Sequence, residues 1–301
     1  MKKAFIKTIK VLVFIGGFIA VERFCHKKTE GFMFNKILSN LSYDERWETP
    51  RFPIDKEKEI LSITDQPFYY LKSGGQSYAF ISEDGKTVLK FFKMHHMREI
   101  KWLTKARFPS FIDIGRDKIV TFRNNKLNHI FGSCAIASQE MQDETGMIYC
   151  HLNKTRHLKK KVVIYDKIGI RHVVNLDETP FVLQKKADLV FAKFHQVMAN
   201  KDLTKAQECI DSLLNLFVTR YEKGIDDNDP IIRKNFGFLG TKAIEIDLGS
   251  FSRKEDLKDP SLYKLQLKKE MVDFKKWIEE FYPTLTPYLE ERMNVLASES
   301  V

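Results

Sequence analysis

Cysteine is sparse in this 301-residue sequence: there are four, Cys25, Cys134, Cys150 and Cys209, and none forms a Cys-x-x-Cys pair. No zinc site or disulfide framework is legible, and the redox compartment is left open. Histidine offers little more. His95 and His96 are adjacent, whereas two ligands on one helix face need i, i+4 spacing. No Gly-x-Ser-x-Gly elbow occurs, so serine-hydrolase chemistry has no support. Internal repeats and low-complexity segments are absent. An apolar run near the start, residues 11–21 (VLVFIGGFIAV), falls short of the ~20 residues that span a bilayer.

What is present is the composition of a packed protein, with 43% hydrophobic and 30% charged residues. The length suits one large or two small domains. The net charge of +10 is concentrated partly at the start, in Lys2, Lys3, Lys7, Lys10, Arg23, Lys27 and Lys28. Elsewhere Lys and Glu interleave as on a solvated face, so no specific nucleic-acid partner is expected.

Residues 1–30 read as an N-terminal hydrophobic anchor or signal. An uncleaved membrane anchor, a transmembrane helix with Lys7 and Lys10 snorkelling, is one reading. Secretion after signal removal is a second, although no small-x-small cleavage site follows. A buried N-terminal helix is the third.

Residues 31–67 read as a polar connector, and 68–187 as a β-rich lobe. Strands are expected at 68–71, 78–82 and 87–92, joined by Ser73-Gly74-Gly75-Gln76-Ser77 and by Glu83-Asp84-Gly85-Lys86, a hairpin signal. Residues 94–107 have helical character. Leu127, Ile130, Phe131, Cys134 and Met141 share one helical face, which predicts a helix over 126–144 capped by Gly146. Further strands are expected at 147–152, 162–165, 172–176 and 181–184. From 188 to 301 the chain turns helical. Thr204-x-x-Gln207 reads as a capping box, followed by the stripe Ile210, Leu213, Leu214, Phe217, Tyr221 and a stop at Gly224. Residues 225–235 read as a polar loop and 243–246 as a short strand. A long helix is expected over 262–281, buried through Leu267, Met271, Phe274, Ile278 and Phe281.

Five short motifs fall in order along these elements. The glycine-bearing turn with Gly74, Gly75 and Ser77 lies between two strands. Lys90 lies inside an apolar strand, where a charge needs a partner. Glu140, with Glu144 and Glu99 as rivals, lies on or near a helix. Asp226-Asp227-Asn228-Asp229 precedes Asn235. Asp247-Leu248-Gly249 closes an apolar strand.

This order resembles the protein kinase-like superfamily over roughly residues 68–251. The resemblance implies an α+β, two-lobed kinase-like fold with an antiparallel β N-lobe and a short helical C-lobe. It implies ATP and Mg²⁺ as cofactors. Gly74, Gly75, Ser77, Lys90 and Glu140 would bind nucleotide, and Asn235 and Asp247 would hold the metal. Asp229, or its rival Asp227, would orient the acceptor hydroxyl, with Lys90 also in a catalytic role. The sequence departs from the family in lacking the full G-x-G-x-x-G, the His-Arg before the catalytic aspartate and the Ala-Pro-Glu motif. Its Asp229-to-Asn235 interval is one residue longer than usual, and few residues follow Asp247. The implied class is therefore a minimal or atypical kinase, an ATP-dependent phosphotransferase acting on a protein or small-molecule hydroxyl. The alternative is a membrane-tethered pseudokinase or interaction module without catalysis.

Overall fold

The computed structural model describes residues 2–48, 54–100 and 110–298. The fold is α+β. Its largest element is a curled seven-stranded sheet in the order β4-β7-β3-β2-β1-β5-β6. The strands are β1 (Phe68–Ser73), β2 (Ser77–Ser82), β3 (Thr87–Phe92), β4 (Met147–His151), β5 (Lys161–Tyr165), β6 (Arg171–Asn175) and β7 (Phe181–Lys185). The expected β1–β2–β3 meander is present, with Gly85 at φ +71° in the second turn. The sheet is mixed rather than wholly antiparallel, because β5 joins β1 in parallel through Phe68↔Ile164 and Tyr69↔Tyr165. The hairpin of β5 and β6 extends this sheet beyond its first strand.

Both faces of the sheet are covered, which is why β3 is apolar on both sides of its pleat. On one face Phe68, Phe80, Leu89, Phe91 and Leu183 pack with Phe32, Ile37 and Ile60. Those last three belong to the segment expected to be a polar connector. That segment instead supplies core, including part of helix α2 (Ile54–Ile63). On the other face lies helix α3 (Ser110–Glu140), followed by the short α4 (Gln142–Thr145). The Ile130, Phe131, Cys134, Ala137 and Met141 side chains pack there with Phe92, Cys150 and Val182. Gly146 ends this run at φ +61°, as expected. Of the expected helix over 94–107, residues 94–96 form a single 3₁₀ turn and 101–109 lie outside the described residues.

Past β7 come the two-residue β8 (Asp188–Leu189) and helices α5 (Val190–Ala199) and α6 (Leu203–Glu222). The α6 stripe is fully buried, with Ile210, Leu213, Phe217 and Tyr221 all at zero exposure. Each such side chain contributes roughly 1.5–3 kcal/mol by leaving water. The N-cap is Asp202, which accepts from the Lys205 N–H at 3.0 Å, and not Thr204. The expected polar loop begins with a buried strand, β9 (Ile225–Asp227), and continues through α7 (Ile232–Asn235) into the hairpin β10 (Phe236–Leu239) and β11 (Lys242–Glu245). Strand β12 (Phe251–Arg253) pairs antiparallel with β9. The tail divides at Met271 into α8 (Pro260–Glu270) and α9 (Val272–Phe281), and α10 (Thr286–Ser298) follows. Leu267, Met271, Phe274 and Ile278 are buried as expected, whereas Phe281 is exposed.

Among the described residues, the ties of helix α1 (Lys2–Thr29) to this body lie at its C-terminal end. Gly31, at φ +72°, closes it, and the Gly31 carbonyl accepts from the Tyr78 hydroxyl at 2.7 Å. Glu30 bonds the Tyr70 hydroxyl and Lys167. Leu12, Val13, Phe14, Phe18, Val21 and Phe24 stand exposed along it, so it is not the buried helix that was one expectation. No described helix is long and apolar enough to cross a membrane.

Candidate functional site

Lys90 occupies the middle of β3, paired to Ala79 on one side and Val182 on the other. It is partly buried on the face that α3 covers. Its ammonium donates to the Ile246 carbonyl, one residue before Asp247. Burial pulls its pKa down to about 8. The Asp247 carboxylate works against that fall, the nearby Lys72 charge adds to it, and Cys134 of α3 opposes it weakly. Among the described residues Lys90 has no ion pair.

Strand β9 and the loop that leads from it to α7 place the acidic candidates differently from one another. Asp227 is buried at 3% exposure, and its Oδ1 accepts from the Asp229 N–H at 2.9 Å. Asp226 is also buried and pairs with Lys254 at 3.2 Å. Asp229 is exposed. Asn235 donates its Nδ2 to the Asp229 carbonyl at 2.7 Å and to the Asp229 carboxylate at 3.4 Å, which leaves Oδ1 as the acceptor on offer. The Asn235 carbonyl accepts from the N–H groups of Ile246 (2.7 Å) and Asp247 (3.4 Å). The two candidate metal ligands are thus locked side by side by backbone, next to the residue that holds Lys90.

Asp247-Leu248-Gly249 is clamped from above and below. Ser133 of α3 donates to the Leu248 carbonyl at 2.6 Å and accepts from the Phe251 N–H at 2.7 Å. Asn228 donates to the Ser250 carbonyl at 2.9 Å. The Gln76 amide, from the turn after β1, donates to the Gly249 carbonyl at 3.1 Å. A Cβ at Gly249 would lie 1.5 Å from Gln76 Oε1, so any side chain there would displace the Gln76 amide from this contact. The turn itself is shaped by the Gly74 N–H on the Ser77 carbonyl (2.9 Å) and by Lys93 on the Gly74 carbonyl (2.6 Å). Gly75 has open space around it.

Glu140 is not brought to Lys90. Its carboxylate is bound by the Arg253 guanidinium, with one contact at 2.8 Å. Of its rivals, Glu144 pairs with Lys223, and Glu99 is fixed through its backbone by Asn40. From α3 it is Cys134 that reaches the Asp-Leu-Gly turn, its thiol 3.7 Å from the Leu248 carbonyl. Glu140 is the last residue of α3 and meets Arg253 of β12 instead.

Beneath the acidic loop lies a cluster that the sequence reading did not single out. Arg220 of α6 is wholly buried and binds Glu245 at 3.0 Å and Glu270 at 2.7 Å. Burial works to lower the Arg220 pKa, and the two carboxylates override it and raise it. Burial drives the Glu245 carboxyl well above its ordinary range against the pull of Arg220, and Asp227 beside it pushes the same way. Glu270 is raised by burial too. Arg220 sits at the inward end of an apolar stripe, where an arginine signals a buried partner. That signal was available in the sequence, whereas the identity of the partners was not. Ser133 carried no comparable signal, since a serine on a helix is ordinarily exposed.

The described residues contain no group of three or more His, Cys, Asp or Glu able to hold a metal by themselves. Asp247 and Asn235 together supply one carboxylate and one amide oxygen. That donor set fits Mg²⁺, which takes one or two carboxylates and completes its shell with substrate phosphate oxygens and water. No protein-family model matches the sequence, and no curated protein matches it significantly.

Proposed function

We propose that this chain is an atypical ATP-dependent phosphotransferase with a two-lobed, protein kinase-like architecture, acting on a hydroxyl acceptor. The observation that carries the reading is the junction at Ile246-Asp247: Lys90 holds the Ile246 carbonyl while Asn235 holds the N–H groups of both residues. Residues from β3, the acidic loop and the end of β11, far apart in sequence, thereby surround one point. There Lys90 would bind nucleotide phosphate, whose negative charge would restore the ammonium that burial disfavours. Bound Mg²⁺, held by Asp247 and Asn235, supplies charge neutralisation for the transferring phosphoryl group. Asp229, exposed and oriented by Asn235, would accept the proton of the acceptor hydroxyl. Catalysis on this scheme is positioning and charge stabilisation.

One observation favours a second reading, a nucleotide-binding pseudokinase: Glu140 is committed to Arg253, leaving Lys90 without a carboxylate clamp. Thermal unfolding with Mg²⁺-ATP tests both. At 100 times its Kd the nucleotide adds about 2.7 kcal/mol of stability. A metal-dependent shift lost in Lys90→Ala and in Asp247→Ala is the expected result. A shift without ADP release would select the pseudokinase, and no shift at millimolar ATP would remove both readings.

The exposed apolar side chains of α1 between residues 12 and 24, with Lys10 before them and Lys27 and Lys28 after them, support membrane association as the localisation. The full chain should float with anionic lipid vesicles, and the double variant Phe14→Asp/Phe18→Asp should stay in the unbound fraction. Equal flotation of the two proteins would rule out this surface.

A further inference from the structure

A second cation shares the Lys90 face of the sheet. Antiparallel partners directly opposite one another project their side chains to the same side. Lys72 of β1 is paired with Ala79 of β2, and Ala79 with Lys90 of β3. The three side chains therefore form one row across the strands, with the smallest in the middle.

Lys72 reaches this row through an irregularity. The β1–β2 register slips between Tyr70 and Lys72, leaving Leu71 as an extra residue. Without that bulge, alternation would put Lys72 on the same side as Tyr70, the side packed against Phe32. A bulge of this kind re-aims a side chain, and bulges concentrate next to functional sites. Two like charges in one cross-strand row repel. Lys72 is exposed, and among the described residues it has no ion pair or hydrogen bond to offset that repulsion. Its charge is felt at Lys90, where it adds to the depression of the pKa. The neighbouring Gly75 leaves open space over the same turn. The two lysine Cβ atoms stand two strand spacings apart, on the order of 10 Å. That gap suits two long side chains closing on an extended polyanion.

We propose that Lys72 is a second phosphate-binding residue, gripping the triphosphate chain of the nucleotide from β1 while Lys90 grips it from β3. This assignment rests on the reading of the cleft as a nucleotide site.

Isothermal titration of the full chain with Mg²⁺-ATP and with adenosine tests it, using wild type, Lys72→Ala and Lys72→Arg. Removing one charge-assisted contact should weaken Mg²⁺-ATP about tenfold or more in Lys72→Ala. Adenosine, which has no phosphate, should bind both proteins equally, and Lys72→Arg should retain most of the affinity. Unchanged Mg²⁺-ATP affinity in Lys72→Ala would overturn the role of Lys72 and leave the nucleotide reading standing. An equal loss for ATP and adenosine would make Lys72 merely structural. Absence of Mg²⁺-ATP binding by wild type at millimolar concentration would remove the cleft reading and this assignment together.

Discussion

Arg220→Met should cost about 3–5 kcal/mol of folding stability, the typical loss when one partner of a buried ion cluster is removed. The arginine is at zero exposure, lies over the rings of Phe217 and Tyr221 at 4.8 and 5.2 Å, and carries the charge facing Glu245 and Glu270. Methionine fills much of the volume but leaves both carboxylates in a low-dielectric site without a cation. Urea unfolding followed by circular dichroism measures the loss, and a change below about 1 kcal/mol would contradict the cluster as described. The triple variant Arg220→Met/Glu245→Leu/Glu270→Leu should recover most of the stability, because replacing the whole set removes the desolvation of every member. The pH dependence has a definite sign. The folded Glu245 and Glu270 carboxyls lie above their ordinary value of 4.5. Their contribution to stability is full below that value and is lost as pH rises through the folded values.

Asp229→Asn and Asp227→Ala should separate catalysis from scaffold. Asp229 is exposed, so its substitution should leave stability within about 0.5 kcal/mol. Losing the group that takes the hydroxyl proton should lower turnover by roughly 10²–10⁴-fold, read as ADP release. Asp227→Ala should instead destabilise by about 1–3 kcal/mol, since it strips the Asp229 N–H of its 2.9 Å acceptor. Turnover would fall there as well, through a misplaced loop. The opposite pattern, with turnover abolished in a fully stable Asp227→Ala and retained in Asp229→Asn, would assign the base to Asp227.

The parts of the site legible in the sequence share one property: each depends on neighbours within a few residues. Asp-Gly at 84–85 makes a tight turn because glycine adopts a positive φ. Gly146 and Gly224 end helical runs for the same reason, at φ +61° and +64°. The apolar stripe of α6 follows from period alone. The Asp-Leu-Gly at the end of β11 is local in the same sense.

Partnerships across long separations were not legible. Glu140 could be placed on a helix, but which strand it meets depends on how far α3 extends before β4, and it meets Arg253, 113 residues away. The segment 31–67 looks polar on average, yet Phe32, Ile37 and Ile60 are spaced irregularly to fill one side of a sheet that follows them. Thr204 had a suitable partner at Gln207, but Asp202 took the cap because the turn from α5 delivers it to the Lys205 N–H. The sequence by itself determined the seven strands of the main sheet, the helical stripes, the turns and the order in which Lys90, Asn235 and Asp247 occur, since backbone conformation and side-chain period are local physics. Only the tertiary structure decided that Lys72 shares a face with Lys90, that Asp227 points inward while Asp229 stays exposed, and that Ser133 and Gln76 hold the Asp-Leu-Gly turn. Register, bulges and burial arise from packing between segments far apart in the chain, and a single bulge suffices to send a side chain to the other face.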